Sequence, residues 1–204
     1  MAPLIPAFRE RHPEADVHLR LSDHLLDLVQ EAVDVAVRLA QMRDSTFTLR
    51  KVAEIERILC ASPDYLAEHP APESPAELID HSCLLLRFPG SEQFRWTLRD
   101  GDEAVTLPVS GRIDADDGDV LTEWAMKGQG IVLKPVFEVA SHLADGRLVP
   151  ILPGTPPAPA TLGVVYPSRK MLPARAKSFV EMTTEALRAH VGAQLALIGR
   201  RLMR

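Results

Sequence analysis

Only two cysteines, Cys60 and Cys83, occur in the 204 residues, which excludes a disulfide framework. They form neither a Cys-x-x-Cys pair nor a metal-ligand spacing, so free thiols packed in a core are expected, with an oxidant sensor beside a binding cleft as the alternative. No apolar run approaches the roughly 18 residues of a membrane span. The N-terminus, MAPLIPAFRERHPE, lacks the basic stretch followed by an apolar one that marks a secretory signal, so a cytoplasmic location without membrane contact is expected. Concentrated positive charge is missing too: a net charge of −5 and a pI near 5.8 argue against a nucleic-acid grip. Only the tail from Arg188 to Arg204 departs, with four arginines and no acid. A solvated helix end is the favoured reading of it, ahead of an anion-binding tail. Hydrolase signatures are absent: the seven histidines include no His-Glu-x-x-His, and no serine sits in a Gly-x-Ser-x-Gly elbow. Lys127-Gly128-Gln129-Gly130 is too short for a phosphate loop. The chain is therefore read as no enzyme, with no cofactor and no resident metal.

What is present is a folded composition, 46% hydrophobic and 25% charged, sufficient for one large domain or two small lobes. In ADVHLRLSD, Val17, Leu19 and Leu21 alternate with His18 and Arg20. Leu25, Leu28, Val29 and Ala32 then recur at three to four residue steps, and DVAVRLA returns to an apolar run over residues 35–39. These changes of period predict strand, helix and strand. The second strand is nearly all apolar, as in a parallel strand covered on both faces.

Further strands are predicted over residues 56–60 and 83–88, a hairpin over FRWTL and AVTLPVSG turning at Asp100-Gly101, and strands at IVLKP, LVPIL and LGVVYP. Helix starts are marked by Ser62-Pro63 and by Ser74-Pro75-Ala76-Glu77, where Glu77 is expected to complete a capping box. A helix over residues 119–127 should stop at Gly128, Pro135 should open another that closes at Asp145-Gly146, and a last amphipathic helix follows Pro173. No internal repeat interrupts this order. The strands fall into two groups, which suggests two lobes with a ligand cleft where the chain crosses between them.

Few residues carry obvious chemistry. Asp114, Asp116, Asp117 and Asp119 around Gly118 evoke a calcium loop, but the glycine and glutamate that an EF-hand needs at its sixth and twelfth positions are Asp119 and Ala125. Acids at a helix start, whose free N–H groups could receive a ligand carboxylate, fit better, as does a simple cap. Arg38 and Arg87 stand inside apolar runs. Each either meets an internal carboxylate or clamps an acidic ligand in the cleft. Trp96 is equally well read as an aromatic wall of the cleft or as a hairpin residue packed on its own sheet.

Five pieces in order, PLIPAFRERHPE, LLDLVQEAVDVAVRLA, ILCASPDYLAEHPAPESPAELIDHSCLLLRF, DADDGDVLTEWAMKGQGIVLKP, and DGRLVPILP with LGVVYPSRKMLPARAKSFV, resemble the effector-binding (co-inducer) domain of LysR-type transcriptional regulators. The resemblance implies an α/β, two-lobed fold like the type 2 periplasmic binding proteins, with a cleft between lobes. Residues 1–58 and 166–204 would form lobe I, and residues 59–165 lobe II. It also implies that Asp44, Ser45 and Thr46, together with Arg87 and Phe88, border the effector cleft, and that Asp116, Asp117 and Gly118 face it from lobe II. Arg38 and Pro135 complete the expected effector-binding set.

The expected partners are a small, anionic or polar effector and a second copy of the chain, in a homodimer or higher homo-oligomer. Nothing in the sequence resembles the family's winged helix-turn-helix domain or the first strand of its effector lobe. DNA would be reached only through an N-terminal domain missing here, and the segment ADVHLRL is expected to lack a strand partner. The rival reading is a solute-binding protein that feeds a transporter.

Overall fold

The computed structural model describes residues 3–22, 28, 30–39, 47–87, 94–101, 103–167 and 172–199. Its elements begin with α1 (Leu4–Arg11), β1 (Ala36–Leu39), β2 (Phe47–Ile55), β3 (Arg57–Ala61) and α2 (Pro63–Glu68), and a 3-10 helix at Pro75–Asp80 follows. Next come β4 (Cys83–Leu86), β5 (Arg95–Asp100), β6 (Glu103–Pro108), β7 (Asp114–Ala115) and α3 (Gly118–Met126). The chain continues through β8 (Ile131–Pro135), α4 (Val136–Ala144), β9 (Val149–Ile151), β10 (Ala160–Pro167) and α5 (Ala174–Ile198). Contacts divide these into two units. One holds the segments up to Glu54 together with Ala160–Ala193, and the other is built on Ile55–Pro159, so the chain crosses near residues 54 and 159 where the sequence reading set the crossings at 58 and 165.

In the first unit the sheet order is β1-β10-β2. β1 runs antiparallel to β10, with Ala36 opposite Val165 and Leu39 opposite Leu162, so the parallel pairing expected of this strand is not what forms. The apolar run cannot distinguish the two, because burial, and not strand direction, selects its residues. α1 places Phe8 edge-on against Phe179 of α5 at 4.9 Å between ring centroids. Arg188 of α5 donates to the carbonyls of Val52 and Lys51, so the first arginine of the basic tail serves β2.

Two expectations fail here, and one strand was unforeseen. Residues 15–22 form no strand: they have no ladder partner among the described residues, and Leu19 and Leu21 stay exposed. Of the helix expected over residues 24–32, Gln30, Glu31 and Ala32 are turn, with Ala32 at a φ of 52°, and residues 24–27 and 29 lie outside the described set. β2 was not anticipated, since Leu49, Val52 and Ile55 recur every three residues and mask the strand period.

In the second unit the order is β7-β4-β8-β3-β9, with β4 parallel to both β7 and β8, and β3 antiparallel to β8 and β9. Successive residues feed opposite faces. Leu59, Ala61, Cys83, Leu85 and Ile131 join one core with Tyr65, Leu78 and Leu98. Cys60, Leu84 and Val132 join the other with Leu121, Ala125 and Val139 of α3 and α4. This double coverage explains the unbroken apolar runs ILCA, CLLL and IVL. The hairpin forms as expected: Asp100 pairs with Glu103, and Gly101 takes a φ of 60°. Trp96 packs on the core of its own unit.

Local punctuation holds in most places. The Ser62 hydroxyl accepts from the Tyr65 N–H at 3.3 Å and caps α2. Gly128, at a φ of 74°, ends α3 in a Schellman turn in which Gln129 N–H reaches the Trp124 carbonyl and Gly128 N–H that of Ala125. The capping box at Ser74 does not form, and the segment is 3-10 instead of α-helical. The Glu77 carboxylate takes the Ser74 hydroxyl at 2.7 Å and the Glu73 N–H at 3.0 Å, so the Ser74 side chain turns to Glu77 and caps no backbone N–H.

Candidate functional site

The parallel strands β7, β4 and β8 end together, and the registers put their ends on one row. Leu86 lies opposite Ala115, Leu84 opposite Val132, and Pro135 opposite Arg57 of β3. Continuing the β4–β7 ladder by one step and the β4–β8 ladder by three brings Asp116, Arg87, Pro135 and Arg57 to the same level across four adjacent strands. α3 and α4 start directly beyond this edge. Carboxyl ends of parallel strands that feed helix N-termini are where α/β sheets take small ligands.

Arg87, one residue past β4, holds Asp114 in a two-pronged pair, Nε to Oδ1 and a terminal N–H to Oδ2, both at 2.7 Å. The internal carboxylate is thus the alternative realised. The hydrogen bond from Arg87 keeps the Asp114 carboxyl below its ordinary range, and the same bond raises the arginine. The guanidinium also lies 5.1 Å from the centre of the Phe94 ring. This fixes the direction of Arg87 more than it stabilises the fold, because the pair faces water.

Asp117 is the N-cap of α3: its Oδ1 accepts from Asp119 N–H at 2.8 Å and Val120 N–H at 3.0 Å. A ligand carboxylate aimed at those amides would have to displace the cap. Gly118, the first residue of α3, is buried, and its carbonyl accepts from Thr122 Oγ1 and from Lys134 Nζ, each at 3.1 Å.

Lys134 escaped the sequence reading although it stood in view as the one charge in IVLKP. It is 6% exposed, and its ammonium contacts Glu138 Oε2 at 2.6 Å as well as the Gly118 carbonyl. One cation therefore ties the end of β8 to the first turns of both α3 and α4. Pro135 is buried at the junction of β8 and α4, where the Val136 N–H donates to the Glu56 carbonyl at 3.0 Å.

The remaining candidates lie elsewhere. Arg38 is half-buried in β1 of the first unit, opposite Gly163. Asp44, Ser45, Thr46 and Phe88 lie outside the described residues. The rim thus brings together Arg87, Asp116, Asp117, Gly118 and Pro135 and adds Lys134 and Arg57. Cys60 and Cys83 are fully buried, and burial pushes both thiols up to about 12, as expected of thiols packed in a core. Among the described residues no three His, Cys, Asp or Glu side chains converge as metal ligands, and no helix is long and apolar enough to cross a membrane.

Residues 1–188 match the family described as LysR substrate binding domain. The sequence is 34% identical over 153 residues to the HTH-type transcriptional activator TtdR of Escherichia coli strain K12, covering 75% of this chain and 49% of TtdR. It is 31% identical over 190 residues to the HTH-type transcriptional regulator DmlR of the same strain, covering 93% of this chain and 62% of DmlR. The chain thus spans about half to three fifths of these relatives. The solved regulatory domain of CrgA, a LysR-type transcriptional regulator from Neisseria meningitidis, is similar with a TM-score of 0.74 at 32% identity, over 91% of each chain.

Proposed function

The chain belongs to the LysR substrate-binding domain family, the effector-binding part of LysR-type transcriptional regulators, and from that we infer that its second unit receives a small effector at the rim just described. The observation that carries this reading is the row of Asp116, Arg87 and Pro135 at the ends of three parallel strands, backed by the N-termini of α3 and α4. Arg87 and Asp117 would orient the ligand, Gly118 would let it approach the backbone, and Arg38, Asp44, Ser45, Thr46 and Phe88 would complete the set. An anionic or polar effector suits a rim that offers guanidinium and N–H donors.

The HTH-type regulators among the relatives support a sensor over a transporter's solute receptor and over an enzyme. In a longer regulator the domain would relay ligand binding to a DNA-binding domain and act in the cytoplasm as a homodimer or larger homo-oligomer, with α1 against a second-unit helix of its partner. Such a relay requires the effector to prefer one of two conformations.

A thermal-shift screen of the chain against carboxylates, amino acids and aromatic metabolites tests the reading. A true effector raises the melting temperature, because at a hundred times its Kd it adds about 2.7 kcal/mol to the folded state. Arg87→Ala or Asp117→Ala should weaken that response. Equal stabilisation of both variants and of the parent chain would move the site away from this rim.

A further inference from the structure

The row at the carboxyl edge contains a second guanidinium that pairs with no carboxylate among the described residues. Arg57 opens β3 directly opposite Pro135, and alternation along the strands puts it on the same sheet face as Leu59, Leu85 and Arg87. One strand, β8, separates Arg57 from Arg87, which sets their backbones about 10 Å apart, or two strand spacings.

The two arginines differ in what they hold. Arg87 has spent one edge of its fork on Asp114. Arg57 donates through its Nε to the Ala158 carbonyl at 2.6 Å. Its neighbour Glu56 turns to Arg99 instead, at 2.8 Å. Among the described residues no carboxylate pairs with Arg57, and none accepts from its two terminal nitrogens with their four N–H groups. Burial lowers the pKa of this guanidinium, and no acid among the described residues offsets the cost of desolvation. A half-buried cation without a counter-charge is expensive unless something supplies one.

We propose that the end of the Arg57 fork is a carboxylate subsite: Nε anchors on the Ala158 carbonyl, and the two terminal nitrogens receive both oxygens of a ligand carboxylate over Pro135. The Nε bond fixes the plane of the guanidinium, so the fork is oriented before the ligand arrives, and planar two-oxygen recognition follows from its shape. The subsite rests on the effector-binding reading above and narrows it: the effector carries at least one carboxylate, and Arg57 with Arg87 sets where that group lies.

The test uses acetate as the probe on the full chain, with the Arg57 Nε–Hε resonance as the direct readout. The resonance should shift saturably, with half-saturation on the order of millimolar, while sodium chloride at equal ionic strength produces no saturable change. Arg57→Lys keeps the charge and loses the fork, so the response at the neighbouring Val136 and Ala158 amides should weaken at least about tenfold, and Arg57→Gln should abolish it. Lys51→Gln, an exposed cation of β2 outside this row, should leave it within about twofold. A linear response, an equal effect of chloride, or saturable acetate binding that survives in Arg57→Gln overturns the subsite. Acetate binding and effector binding fail separately: a screen in which only uncharged compounds stabilise the chain would leave the sensor reading standing without this subsite as its anchor. Saturable acetate at Arg57 in a chain that no metabolite stabilises would do the reverse.

Discussion

At the residue scale, burial decides chemistry more than identity does. Cys60 and Cys83 are ordinary thiols by type, but both are fully enclosed and pushed up to about 12, so almost no thiolate exists at neutral pH. Ellman's reagent should therefore modify neither in the folded chain and both after unfolding. Rapid labelling under native conditions would show that one thiol is open to solvent. Gly130 illustrates close approach: at a φ of 152°, a Cβ there would sit 2.2 Å from the Ser82 carbonyl oxygen, the atom that accepts the Ile131 N–H. Gly130→Ala should cost about 2–4 kcal/mol, read as a lower urea midpoint at unchanged slope. The sequence showed Gly130 only as the last residue of the run Lys127-Gly128-Gln129-Gly130. Its tight packing depends on Ser82, far away in the chain.

At the element scale, the rim depends on how α3 and α4 are seated. Asp117 supplies two hydrogen bonds to the first turn of α3, so Asp117→Ala should cost about 1 kcal/mol and Asp117→Asn rather less, by thermal or urea unfolding. Lys134 acts on both helices at once. Lys134→Met keeps the volume but leaves Glu138 without this cation and removes one of the two side-chain donors to the Gly118 carbonyl, with an expected loss of about 2–4 kcal/mol. The loss should shrink in the double variant Lys134→Met, Glu138→Gln, and a double-mutant cycle measures that coupling. Additive losses would show that the pair does not act as a unit.

At the scale of the whole molecule, pH should act through two histidines of the second unit. Burial is the main cause that holds both His81 and His142 below the ordinary histidine range, with His69 and Arg147 adding to it. His81 Nδ1 meets the Tyr65 hydroxyl at 3.0 Å while that oxygen already accepts the Ser82 N–H at 3.1 Å, an arrangement that suits a neutral ring. A depressed folded pKa means that the unfolded chain binds the proton more readily. The stability is fully present above about pH 6.5 and is lost as pH falls below that value. The urea midpoint should therefore drop between pH 7.5 and 5.5, and His81→Gln should flatten the slope. Asp114 and Glu77, whose carboxyls are also held low, act in more acid solution and do not share this window.

The elements that were legible in the residues are those stabilised by near neighbours. Ser62-Pro63, Asp117, Gly128 and the Asp100-Gly101 turn act within a few residues, and ILCA, CLLL and IVL declared their strands because both faces of that sheet are covered. The family, too, was readable from the order of five pieces. Residues 17–21 had the right alternation and still formed no strand, since a strand is stabilised by the one beside it. The direction of β1, the existence of β2 and the meeting of Arg57, Pro135, Arg87 and Asp116 on one row depended on pairings between distant segments. No local pattern encodes those, because hydrogen-bond register and charge compensation are properties of partners that sequence distance does not reveal.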